Sequence, residues 1–201
     1  MPRIPEPRTP GRVSTTRQLE RQRAILRAAG RLGAEHGLER VQMSEVAHTA
    51  GVALGTLYRY YPSKHHLFAA VLDTAVRELP HPAGVSTDPV TGAADFLSRA
   101  IGELLRHPHL ARAMLVSMNA VRAEKSASPV VAQDYSMPER ILAAAGITTP
   151  TTEDHRLARL LEQCVYGILT WTTAGNLTTD QAMADVHRAC ELLLAPWRSS
   201  R

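Results

Sequence analysis

Only two cysteines occur in 201 residues, Cys164 and Cys190. Both fall on apolar helical positions, so buried free thiols are expected rather than a disulfide framework. Aromatic residues make up 4 % of the chain, which leaves aliphatic residues, alanine and methionine to fill a core. No apolar run approaches the roughly 18 residues that a bilayer-spanning helix needs, and this excludes a transmembrane protein. No apolar segment follows the basic N-terminus as in a secretory leader, so a cytoplasmic location is expected. Lysine is scarce too: Lys64 and Lys125 are the only two, and arginine supplies the remaining cations.

Catalytic signatures are equally missing. The chain has no G-x-S-x-G elbow, no phosphate-cradling glycine loop, no H-E-x-x-H, no C-x-x-C and no dinucleotide fingerprint. Nine histidines invite a metal reading. However, His65-His66 and His107-Pro108-His109 lack the i, i+4 spacing that converges on an ion, so exposed histidines and no metal or cofactor are expected. An all-α enzyme with an unfamiliar active site is the alternative from another class. Turnover of a candidate substrate, as opposed to a shift in DNA binding, would distinguish the two.

What is present describes a globular protein with an uneven charge distribution. Hydrophobic residues are 44 % and charged residues 21 % of the chain, enough for one body, or a small module joined to a larger one. Residues 1–80 carry twelve Arg/Lys against seven Asp/Glu, whereas residues 81–201 carry eleven against twelve. The positive charge thus belongs to the N-terminal part, as expected if that part meets a polyanion.

Punctuation divides the chain into helices. Residues 1–14, with four prolines and a glycine, read as a basic arm. Helices are then expected at about 16–37, 41–50, 53–60 and 63–79. Gly37 and Gly51 act as stops, and Ser63 caps the fourth helix. The stretch 80–92, rich in proline and glycine, marks a boundary. Beyond it, helices are expected at about 90–107, 108–123, 137–146, 152–175 and 178–195, with cap chemistry at Ser136/Glu139, Thr151/Asp154 and Thr178/Gln181. Pro129 and Pro138 make 124–136 the least regular part. No window alternates like a strand, so the fold class is all-α.

The two short helices joined at Gly51 form a helix-turn-helix pattern. Leu57 and Tyr61 point inward, leaving Thr56, Tyr58, Arg59 and Tyr60 on outer faces. Hydroxyls, a threonine and Lys64 are suited to phosphate oxygens and base edges. The segment VQMSEVAHTAGVALGTLYRYYPSKHHLFAAV (41–71) resembles the DNA-binding domain of the TetR family of transcriptional regulators. The likeness rests on the Ala50-Gly51-Val52 turn, Gly55-Thr56-Leu57-Tyr58 and Tyr61-Pro62-Ser63-Lys64.

The resemblance implies a homodimer whose three-helix heads bind a near-palindromic operator and whose larger bodies bind a small, mostly apolar effector. The implied division is a flexible arm (1–14), a DNA-binding head (15–80) and a ligand-binding and dimerisation body (81–201). The family's contact positions fall on Gln42, Ser44, Thr56, Tyr58, Tyr60 and Lys64. Ala53 and Leu54 replace the serine and lysine common there, and Leu54 can instead touch a thymine methyl. The acidic residue that commonly follows the capping serine by three positions is here His66. Lys64 and Gln42 are expected to hold phosphates, while Thr56, Tyr58 and Tyr60 read the major groove; the tyrosines could equally clamp phosphates. The arm arginines Arg3, Arg8 and Arg12 could reach a minor groove or be merely solvated.

In the body, Phe96, Leu104, Met114, Leu115, Met118, Asn119, Tyr166, Leu169 and Trp171 are the candidate effector lining, with plain core as the competing reading. Leu157, Leu161, Val165 and Ile168, with Met183, Val186, Cys190 and Leu193, form two apolar stripes. The resemblance implies that this helix pair joins its twofold mate in a four-helix bundle; otherwise the stripes face their own core. The head and the tail TEDHRLARLLEQCVYGILTW are also similar to the KstR-like regulators of steroid catabolism, which implies a steroid-derived acid or its coenzyme A thioester as effector. A drug-efflux regulator with a promiscuous pocket is the alternative within the family.

Overall fold

The computed structural model describes residues 12–79, 88–124 and 137–199. All regular elements among them are helices: α1 (Arg12–Arg40), α2 (Met43–Thr49), α3 (Leu54–Tyr60), α4 (Lys64–Glu78), α5 (Pro89–Leu105), α6 (Pro108–Ala123), α7 (Met137–Ala144), α8 (Thr152–Thr173), α9 (Thr179–Leu193) and α10 (Pro196–Ser199). The first helix begins inside the stretch assigned to the arm, taking in Arg12–Ser14. Arg3, Arg8, most of the proline-rich boundary, Pro129 and the Ser136 cap lie outside the described residues.

Local chemistry sets these boundaries. Gln42 opens α2 from an extended conformation. The helix closes where Gly51 adopts φ 67°, a conformation that L side chains with a Cβ resist. There Val52 N–H donates to Ala47 O and Gly51 N–H to His48 O, the paired bonds of a Schellman turn. Ser63 Oγ accepts from His66 N–H to start α4. Thr151 with Asp154 and Thr178 with Gln181 form reciprocal capping boxes on α8 and α9. Caps of this kind are worth about 1 kcal/mol each.

Two cores result, and α6 belongs to both. The head core gathers Ile25, Ala29 and Leu32 of α1, Val46 of α2, Leu57 of α3, and Leu67 and Phe68 of α4, together with Ala113 and Met114 of α6. The body core contains Leu97, Ile101, Leu115, Ile141, Leu161, Val165, Val186 and Cys190. Helices α1, α4 and α6 crowd together at Gly33. A Cβ built there would lie 2.5 Å from Phe68 Cε1 and 2.9 Å from Leu110 Cδ1. Since the Phe68 ring is fully buried, it cannot step aside cheaply. Gly33→Ala is therefore expected to destabilise the protein: overpacking costs about 1–3 kcal/mol, more than the roughly 1 kcal/mol of helix propensity it recovers. Urea unfolding of the variant checks this.

The last helix escaped sequence analysis, because four residues show no periodicity. It buries Trp197 in the body core. Arg198 meanwhile forks onto Asp88, the cap of α5, with Nε–Oδ1 3.1 Å and Nη2–Oδ2 2.9 Å. Those bonds, with Thr91, hold the Asp88 carboxyl far below the usual carboxylate range. A depressed folded-state pKa contributes stability that is present above the unfolded value of about 3.9 and fades as pH falls below it. Arg198→Ala is thus expected to lower the melting temperature at pH 7. The gap to the native chain should narrow on acidification below about pH 4, as differential scanning calorimetry across pH would show.

Candidate DNA-facing surface and cavity

The turn at Gly51 leaves one face of α3 open to solvent. Leu57 and, just past the helix, Tyr61 are buried beneath it, and burial pushes the Tyr61 phenol up. On the opposite face Leu54, Gly55, Tyr58 and Arg59 are exposed, with Tyr58 46 % accessible. Ala53 caps the helix without a side-chain bond and is exposed, as are Gln42 and Ser44 on α2; Thr56 is half-buried. Arg59, which sequence analysis left on an outer face without a role, sits with its guanidinium 6.0 Å from the Tyr60 ring centroid. The surface therefore offers a hydroxyl, a phenol, a guanidinium and an aliphatic methyl group, the inventory that major-groove edges require.

Two of the expected contact residues are placed differently. Tyr60 does not stand on the outer face. It is half-buried, packed against the head core, and its ring lies 6.3 Å from that of Tyr61. Lys64 donates to the carbonyls of Glu39 (3.3 Å) and Val41 (3.1 Å), so its ammonium first holds the segment that follows Gly37, where α1 breaks at φ 71° and ψ 175°. Residue position alone cannot reveal such a partner 23 residues away in the chain.

A cavity of about 460 Å³ lies on the seam between the two cores, within the usual range for small-molecule sites. Tyr60, Tyr61 and Met114 line it from the head core. Leu97, Ile101, Leu115, Val165 and Leu169 line it from the body core, and α4 runs along its side. Leu104, Met118 and Tyr166 also face it. Tyr166 O–H donates to Leu115 O at 2.6 Å, while the Arg122 guanidinium lies 5.7 Å from the Tyr166 ring centroid. Burial pushes both the Tyr166 phenol and the Glu162 carboxyl up, and Arg122 pulls each partly back. Arg122, Glu162, Asp73 and His66 are lining groups that sequence analysis missed. Ionisable residues within apolar helices were the available signal.

Three of the expected lining residues are elsewhere. Phe96 is in the body core, where the Arg140 guanidinium stacks over it at 5.8 Å while also donating to Leu79 O. Asn119 lies on the exposed side of α6, and Trp171 is 61 % accessible. The apolar stripes of α8 and α9 largely face the subunit's own core, the other of their two readings. Leu161, Val165, Val186 and Cys190 are buried inside the subunit, and Leu157, Ile168, Met183 and Leu193 pack against that core. The stripe open to solvent is rotated by one position, to Leu160, Cys164 and Trp171 on α8, with Leu192 on α9. Cys164 is exposed rather than buried, whereas burial pushes the Cys190 thiol up to about 12. No group of three or more metal-ligating side chains occurs among the described residues, and no described helix is long and apolar enough to cross a membrane.

A helix-turn-helix head seated on a helical body defines a DNA-binding regulator. The family model for bacterial regulatory proteins of the tetR family matches residues 25–71, and that for the tetracyclin repressor-like C-terminal domain matches residues 87–193. The chain belongs to the TetR family. It is 34 % identical to the HTH-type transcriptional repressor KstR of Rhodococcus jostii over 176 residues, covering 85 % of this chain and 81 % of that protein. The Mycobacterium tuberculosis KstR is also 34 % identical, with 81 % and 76 % covered. A TetR transcriptional regulator from Rhodococcus sp. RHA1 superposes with a TM-score of 0.80 at 41 % identity, over 90 % of this chain and 98 % of that one. Thermus thermophilus FadR, solved with lauroyl-CoA, shares the fold at a TM-score of 0.64 and 18 % identity, over 86 % and 93 %. These relatives are named as transcriptional regulators and repressors, which leaves the enzyme alternative without support.

Proposed function

We propose that the chain is a KstR-like transcriptional repressor that binds a near-palindromic operator as a homodimer and is released by a bulky, mostly apolar effector. The carrying observation is α3, whose Leu57 is buried while Leu54, Tyr58 and Arg59 stand exposed. In this reading Thr56, Tyr58, Arg59 and Leu54 meet base edges, while Gln42 and Ser44 at the start of α2 set the register on phosphates. Lys64 contributes mainly by fixing the segment between Gly37 and α2, with one donor left for a phosphate. The head spans about 15–80 and the body about 81–201. Two heads would present their α3 helices roughly 34 Å apart.

The effector reading draws on the seam cavity and on the likeness to KstR repressors over most of the chain. A steroid-derived acid or its coenzyme A thioester suits a wall of Leu97, Ile101, Met114, Met118 and Leu169, with Tyr166 and Arg122 as polar handles. The test is selection of bound fragments from the source genome, followed by titration of the complex with such a thioester. Expected are a recovered inverted repeat and its release by the thioester. Tyr58→Ala, at an exposed position, should weaken binding about 5- to 150-fold, since a good base contact is worth roughly 1–3 kcal/mol, with the melting temperature unchanged. Failure to retain any fragment at modest ionic strength would refute the reading.

A further inference from the structure

His66 occupies three places at once. It lines the cavity, it lies in the first turn of α4 just after the reading helix, and it reaches the far end of α6. Its Nδ1 is 2.9 Å from Ser63 Oγ, and its Nε2 is 3.4 Å from Glu124 Oε2. Because Ser63 Oγ already accepts the His66 backbone N–H, its own proton is free to go to Nδ1. Nε2–H then faces the Glu124 carboxylate, and one tautomer satisfies both contacts. The neighbouring His65 makes a parallel link, its Nδ1 lying 3.3 Å from the fully buried Ser117 Oγ of α6. Tyr60, Tyr61 and Pro62, the exit of the reading helix, share the same cavity wall.

We propose that His66 is the coupling residue of this regulator: it ties the exit turn of the DNA-reading helix to the end of α6, and an occupant of the cavity releases that tie. The proposal rests on the effector reading given above. An occupant can shift the head only by as much as its affinity differs between the tied and untied arrangements. His66 supplies that difference, because the volume it bounds is the volume an occupant would fill. Glu124, half exposed at the terminus of α6, is the partner that an occupant pulls away from or crowds out.

The primary test needs no effector. DNA affinity of the full-length protein is measured for His66→Ala, Glu124→Gln and the double variant at fixed salt. Each single change is expected to weaken binding fivefold or more, and the double variant no more than twofold further, since both cut one tie. The direction is diagnostic: removing the Glu124 charge alone would strengthen binding to a polyanion. Singles that bind within twofold of the native chain, or effects that simply multiply, overturn the proposal. Should His66→Ala fail to fold, Glu124→Gln at its exposed site decides the same question.

The second arm adds the coenzyme A thioester of a steroid acid. In the variants it should bind at least as tightly as in the native chain, because the tie no longer has to be broken, yet move DNA affinity less than twofold. A merely structural role would lower the melting temperature and leave that response intact, and an intact response overturns the proposal. A thioester that leaves even the native complex in place counts against the effector reading, while the effector-free arm still decides the role of His66.

Discussion

Phe68→Ala should destabilise the protein by about 3–5 kcal/mol, the range for emptying a buried aromatic site, and DNA binding should go with it. Phe68 is fully buried and stands where α1, α4 and α6 meet, its ring edge against the gap left by Gly33. The cavity cannot collapse readily. Ile25, Ala29 and Leu32 are fixed on α1, and Ala113 and Met114 are held by α6, which the body core also grips through Leu115. The same sharing predicts how the loss appears. Because α6 serves both cores, head and body should melt together, so near-ultraviolet and far-ultraviolet signals should give coincident transitions. A loss below about 1 kcal/mol, or a head that melts well before the body, would contradict this packing.

The parts of the fold legible in the sequence are those that local chemistry dictates. Thr151/Asp154 and Thr178/Gln181 announce helix starts because the cap is made within three residues, and Gly51 announces a stop because few residues tolerate its φ. The helix-turn-helix follows from such signals together with buried Leu57. Partnerships across the fold carry no such mark. Lys64 pairs with the carbonyls of Glu39 and Val41 only once α4 is laid against α1, and His66 finds Glu124 only through the approach of α4 to α6. Phe96 and Met114 look alike on their helices, yet one meets Arg140 in the body core and the other the cavity. Helix α8 shows the limit most clearly. Leu157, Leu160, Leu161, Cys164, Val165, Ile168 and Trp171 make so broad an apolar stripe that periodicity cannot say which edge faces the subunit's own core. Packing decides it, and the free edge is Leu160, Cys164 and Trp171.

That free edge carries the other large expected effect. Trp171 and Leu192 are each 61 % accessible and Leu160 41 %. Large apolar side chains left open along two neighbouring helices are what an association surface requires. If the homodimer forms there, Trp171→Glu combined with Leu192→Glu places two charges where two subunits meet, and light scattering should give half the native mass. A lone head then meets the operator without the effective concentration supplied by its twin, a factor of roughly 10²–10⁴, so operator affinity should fall by that much. Neither residue belongs to the buried core of the protomer, so the melting temperature of the separated subunit should not depend on cavity formation at either site. Cys164 provides an independent gauge, since it lies on the same stripe. Its thiol should react slowly with iodoacetamide in the native dimer and readily in the double variant, while buried Cys190 stays inert in both until unfolding. A native mass retained by the double variant, or Cys164 labelling at equal rates in both proteins, would move the dimer interface away from α8 and α9.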